Sequence, residues 1–190
     1  MPTILSHAIV VGAAGQWWRR RDLPPNFWTW TMACSMLPDI DVIGFSFGIQ
    51  YGDMFGHRGF THSLFFALLA GGLAAWQIPT PESQPPNPKR VQLFWWFAAV
   101  TASHGVLDAM TNGGRGIAFF APFSNHRYFF PWRPIQVSPI GAGFFSSRGL
   151  SVLASEACWI WAPSAIIALS ARIFRRPTCP PSRNASAGPS

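Results

Sequence analysis

Seven residues, His57-Arg58-Gly59-Phe60-Thr61-His62-Ser63, set two imidazoles, a guanidinium and two hydroxyls at the mouth of an uncharged run, Leu64 to Ile78. Ionisable groups at the edge of a membrane-like segment are costly unless paired or bound, so they point to function. The rest of the chain supplies partners of matching type: His7, the pair Asp39 and Asp41, and His104 with Asp108. Imidazole suits zinc and other transition ions, while carboxylates bridge two ions or hold harder ones. Histidine and aspartate with no cysteine pattern form the ligand set of a hydrolytic metal centre. The expected ligands are His7, Asp39, Asp41, His57, His62, His104 and Asp108. These exceed the four ligands of one zinc, which implies two ions, or one ion with outer partners that orient its histidines. Such a divalent ion acidifies water and clamps a phosphate or acyl oxygen under attack. Zinc is expected, with manganese or another transition ion as the alternative. Asp39 or Asp41 would double as general base.

The spacings support this set. His104 and Asp108 are four apart in a predicted helix, hence on one face. Asp39 and Asp41, beside Pro38, suit an extended or turn backbone that aims both carboxylates to one side. His57 and His62 bracket a glycine turn, and His7 sits about a turn into the first segment. Arg58, Arg127 and Arg133 have the planar fork that matches phosphate oxygens, unless they simply meet lipid headgroups. Simpler roles exist for single residues: His7 as a polar cap, Asp39 as a turn residue, Asp41 as an N-cap. Asp53 and Glu156 read as surface or interhelical groups. Ser63 and Ser103 lack a nucleophile-elbow context, and no His-Glu-x-x-His motif occurs.

The elements that must position these residues are apolar segments. Charged residues make up 11% of the 190, against roughly 25% in ordinary soluble domains. Ten tryptophans fit the interfaces of a bilayer. The net charge of +7 is too scattered among apolar runs for a nucleic-acid face, and no nucleic acid is expected. Cys34, Cys158 and Cys179 form no metal-binding or disulfide pattern. The apolar stretches are Thr3 to Trp18, Phe27 to Leu37, Ser63 to Gln77 with Thr61 as its N-cap, Val91 to Met110, and Val152 to Phe174. A proline-rich linker, Pro79 to Arg90, precedes the fourth. A loop-rich region, Arg115 to Gly149, separates the last two, and such a long connection usually marks function. The expected fold is an all-α integral membrane bundle of about four to five segments, with one domain over 1–176 and a disordered tail over 177–190. With Arg19–Arg21, Lys89–Arg90 and Arg172–Arg176 on the cytoplasmic side, every His and Asp of the set falls at the outer end.

The blocks Leu37-Pro38-Asp39-Ile40-Asp41, His57 to Ser63 and His104-Gly105-Val106-Leu107-Asp108, together with His7 and the aromatic stretch Pro122 to Trp132, resemble the YdjM-like family of bacterial membrane-bound metal-dependent hydrolases. The likeness covers about residues 1 to 145. That family is similar, distantly, to the zinc-dependent phospholipase C and single-strand nuclease group. The resemblance implies ligation by His7, Asp39 or Asp41, His57 or His62, His104 and Asp108. The group also uses later His and Glu ligands, for which His126 and Glu156 are the residues available here. The expected function is therefore a multi-pass enzyme of the bacterial inner membrane, with its site on the periplasmic side. It would hydrolyse a phosphoester of a phospholipid or a lipid-linked phosphate. The alternative is a non-catalytic membrane protein, a metal transporter or scaffold, using the same cluster.

Overall fold

The computed structural model describes residues 1–18, 23–79, 88–139 and 141–174. The arginines at 19–21 and 175–176, the linker residues 80–87 and the tail 177–190 lie outside the described residues. Among the described residues the chain is all-α: two isolated bridges, Thr111 with Ile135 and Ile117 with Tyr128, stand where strands would be. The helices are α1 (Ile4–Ala14), α2 (Phe27–Met36), α3 (Leu64–Gln77) and α4 (Pro88–Ala109). α5 (Ser147–Glu156) passes through a π-helical turn (Ala157–Trp161) into α6 (Ala162–Phe174), making one continuous helix.

That continuous helix, Ser147–Phe174, is long and apolar enough to cross a membrane, by length and composition. The other predicted segments are not full spans by the same measure. α1, α2 and α3 have 11, 10 and 14 residues, fewer than the roughly 20 that cross a hydrocarbon core. α4 has 22, but Lys89, Arg90, His104 and Asp108 interrupt its apolar run.

The side chains of α3 are sorted by size rather than polarity. Ala67, Ala70, Gly71, Ala74 and Ala75 are buried, whereas Leu73 is 68% and Trp76 73% exposed. Large apolar groups outside and small ones inside is the packing expected where lipid, not water, is the solvent. It brings α3 against α4 so closely that a Cβ on Gly71 would lie 2.7 Å from the backbone nitrogen of Ala98. Any larger residue would force the two helices apart.

The length of α4 divides into two uses. Leu93, Phe97 and Val100 pack with Val11, Phe27 and Ile78 in the apolar core, edged by Trp18, Trp28 and Trp96. Beyond them Thr101, His104, Gly105 and Asp108 continue the same buried face with polar groups. The helix thus carries the core at one end and the candidate site at the other.

Two local expectations change. The N-cap of α3 is Ser63, whose hydroxyl accepts the Phe66 N–H at 3.0 Å. Thr61, the expected cap, lies instead in a short 3-10 turn, Phe60–His62, and donates its hydroxyl to Asp41. Asp39 and Asp41 lie not in a turn but in a 3-10 helix, Leu37–Phe47, of 11 residues. Such helices rarely exceed four residues, and with three residues per turn, positions two apart point in different directions.

Candidate metal centre

The 3-10 geometry sends the two aspartates to different partners. Asp41 accepts three donors, the His57 ring through Nδ1 at 2.7 Å, the Arg58 backbone N–H at 3.1 Å and the Thr61 hydroxyl at 2.7 Å, and the His62 Nδ1 atom lies 3.1 Å away. Asp39 accepts no hydrogen bond at either oxygen, although both are buried. The tight loop that delivers these donors depends on Gly59, where a Cβ would collide with the Met54 carbonyl.

Around Asp39 the structure gathers His7, His62, His104 and Asp108, each buried. Asp39 Oδ1 lies 3.2 Å from His104 Nε2 and 3.6 Å from His62 Nε2. Asp108 Oδ2 is 3.6 Å from His62 Nε2, and Asp108 Oδ1 is 3.9 Å from His7 Nε2. The rings of His7 and His104 stack at 3.7 Å.

The outer nitrogens decide what the inner ones can do. His104 Nδ1 meets the Ser35 carbonyl at 2.7 Å, and His62 Nδ1 meets the oxygen of the Thr61 hydroxyl at 3.1 Å, whose own proton goes to Asp41. Both partners are acceptors, so both Nδ1 atoms donate. A neutral imidazole then has only a lone pair at Nε2, and those lone pairs face carboxylate oxygens. Acceptors face acceptors. A cation, either a second proton or a metal ion, must lie between them.

The donor set fits a metal. One ligand atom from each of Asp39, His62, His104 and Asp108 lies within 4.8 Å of the others, all four residues buried. Tetrahedral zinc with bonds of about 2.0–2.1 Å separates its ligands by about 3.3–3.5 Å, close to the three shortest distances here. The carboxylate-backed hydroxyl behind His62 and the carbonyl behind His104 serve as the outer partners that metal-bound histidines normally have. Charge fits too. Asp39, Asp41 and Asp108 are buried against one guanidinium, that of Arg58, which leaves two negative charges for a divalent cation to neutralise. A second triplet of ligand type, Asp41, His57 and His62, adjoins the first through His62.

Arg58 is wholly buried, and its backbone has a φ of 65°, uncommon for a residue with a side chain. Its Nε lies 3.1 Å from Asp108 Oδ2, and its Nη atoms donate to the Gly113 carbonyl and the Thr111 hydroxyl. Arg127 donates to the carbonyls of His57, Tyr51 and Asp53. Arg133 is exposed and stacks on Phe129. His126 is exposed beside Tyr128 and does not join the buried cluster.

Sequence reasoning passed over the Ser35 carbonyl, which no residue type announces, and the role of Glu156. That carboxylate is fully buried, and of the two readings given to it the interhelical one is the arrangement seen. It accepts the Thr3 N–H at 2.6 Å, the Thr3 hydroxyl at 2.6 Å and the Ser6 hydroxyl at 2.7 Å, and so holds the start of α1. The signal was present: one carboxylate in an otherwise uncharged span.

The cation requirement has a pH consequence. Burial pushes His62 down, but the Asp39 and Asp41 carboxylates beside it more than offset this and raise it from 6.5 to about 9. A raised group contributes its full stability below about 6.5 and loses it as pH rises through 9. Burial pushes Asp39 and Asp41 up, but the His104 and His62 rings beside the first, and the His57 and His62 rings beside the second, hold both well below the usual 3.8. Their contribution is present above that value and lost as pH falls. The contributions of His62 and the two aspartates to the stability of the metal-free protein should therefore overlap between about pH 4 and 6.5. Metal must displace the His62 proton, so affinity should rise roughly tenfold per pH unit between about pH 6 and 8. Zinc titrations in that range check it. A flat profile removes His62 from the ligand set.

A family model described as YdjM inner membrane protein matches residues 1–177. Inner membrane protein YbcI of Escherichia coli (strain K12) is 36% identical over 169 residues, 88% of this chain and 95% of the relative. No solved structure matches the chain. The matched span runs from the first helix through the last and takes in every residue of the buried cluster: the chain belongs to the YdjM family of inner membrane proteins.

Proposed function

We propose that this protein is a metal-dependent hydrolase, built as a multi-pass helical bundle with its centre towards the periplasmic face, and that it cleaves a phosphoester of a lipid-linked substrate. The observation that carries the reading is the buried cluster of imidazole nitrogens and carboxylate oxygens, 3.2–3.9 Å apart, that have no hydrogen-bond partner. His62, His104, Asp39 and Asp108 would hold the ion, with His7 as a further ligand. When bound, a zinc-type ion supplies a Lewis acid and acidifies water. Asp39 is the carboxylate placed to take a proton, because its oxygens accept no bond while those of Asp41 hold three donors. Asp41 orients His57 and His62, and Arg58 fixes Asp108. With Arg58 and Arg127 engaged by protein groups, Arg133 is the guanidinium left to meet an anionic headgroup.

The test is release of phosphate-bearing headgroups from phospholipid vesicles by the zinc-loaded protein, with and without chelator. Chelator-sensitive release supports the reading. The near-complete enclosure of the cluster favours a second reading, an ion held for structure or passage. Bound metal without cleavage of any phospholipid, together with metal flux into sealed vesicles, would select that alternative.

Glu156 tests the same reading from a distance. By holding Thr3 and Ser6 it sets the rotation of α1 that aims His7 inward. Glu156→Gln replaces one acceptor by a donor against three donors, and metal affinity should fall about tenfold, as for other outer partners of a metal site. In a His7→Ala background the same change should have no further effect on affinity. Equal losses in both backgrounds would show that Glu156 does not act through His7.

A further inference from the structure

We infer that the groove between the start of α1 and the first turns of the helix Ser147–Phe174 binds one acyl chain of a bilayer glycerophospholipid, and so makes a diacyl lipid the substrate class. The attachment of that chain to the scissile phosphoester rests on the hydrolase reading; the groove itself does not. An open groove of about 410 Å³ is lined by Met1, Pro2, Ile4, Leu5, Phe144 and Leu153, together with Thr3 and Ser138. A second, of about 430 Å³, is lined by Phe145, Gly149 and Leu150 and shares Phe144 and Leu153 with the first. The two therefore adjoin, and each has the size of a ligand site.

The chemistry of the lining selects the occupant. Its three polar side chains are already bonded: Thr3 to Glu156, Ser138 to the Pro139 carbonyl and Ser146 to the Gly143 carbonyl, which leaves the Met1 amine as the one further polar group of the lining. A peptide, sugar or nucleotide laid here would leave its own polar groups unpaired, which is costly. A hydrocarbon chain has none to lose. The exposed part of the lining, Phe145 at 90% and Leu150 at 71%, lies just before and within the first turn of the membrane-length helix Ser147–Phe174. The inner end lies at Thr3, four residues and about 6 Å of helix rise from His7. A chain seated in the groove carries its headgroup towards the candidate centre.

The test uses the full-length protein in vesicles of phosphatidylglycerol that carries a photoreactive diazirine on one acyl chain. The expected result is labelling concentrated on Phe144, Leu150 and Leu153, and lost in Leu153→Trp, which fills the groove. Leu150→Trp, at an exposed position that burdens no core, makes the same test if Leu153→Trp does not fold. His62→Ala should lose metal but keep the label, so failure of the centre and failure of the groove are read separately. Labelling that is spread evenly over the outer face of α3 and unchanged by both tryptophans marks ordinary annular lipid and overturns the inference, as does no labelling of the groove.

Discussion

His62→Ala is expected to leave the purified protein without metal, where the wild type holds about one or two ions per chain. Removal of an outer partner of a metal site costs 10–100-fold in affinity, so loss of a ligand that touches both carboxylates should cost more than about 100-fold. Asp108→Ala should do the same, because it deletes the carboxylate shared between His62, His7 and Arg58. His126→Ala, at an exposed ring outside the cluster, should keep the full metal content. Elemental mass spectrometry of the detergent-purified variants reads this directly. Full occupancy in both His62→Ala and Asp108→Ala would sink the metal centre, and with it the hydrolase reading.

The second large effect belongs to Arg58. Its guanidinium is wholly buried beside Asp108, and the positive φ of its backbone is held by the surrounding loop. Removing one partner of a buried pair strands the other charge, at about 3–5 kcal/mol. Arg58→Met should destabilise the metal-free protein by that amount in denaturant unfolding from mixed micelles. Arg58→Met combined with Asp108→Asn should recover much of it, since no charge is then left without a partner. A single variant that loses less than about 1 kcal/mol, the worth of a surface pair, would mean that the guanidinium is not needed to hold Asp108.

Composition and pattern alone carried the all-α class, the apolar character and most of the residues that meet in the cluster. Ionisable side chains are so rare in such segments that each one stands out: His7, Asp39, His62, His104 and Asp108 were legible from residue type before any contact was known. The four-residue spacing of His104 and Asp108 needed only a helix, and the structure supplies one. The uncharged span around Glu156 held a similar signal that pointed to no partner, because its donors lie about 150 residues away on Thr3 and Ser6.

What only the tertiary structure decided is which atom faces which. The sequence treated Asp39 and Asp41 as a pair that turns to one side. A 3-10 helix instead sends Asp41 to three donors and leaves both Asp39 oxygens without a hydrogen bond, a backbone choice that a Leu-Pro-Asp start does not announce. Arg58 looked like a phosphate binder and proved to be the partner of Asp108, because its direction is set by an unusual backbone conformation. The tautomer of His104 is set by a carbonyl from another element, and that of His62 by the Thr61 hydroxyl, which Asp41 orients from another element. Residue type reports which chemistry is available, since polar groups in an apolar chain need a reason to be there. Long-range packing decides which lone pairs meet, and that is where a cation becomes necessary.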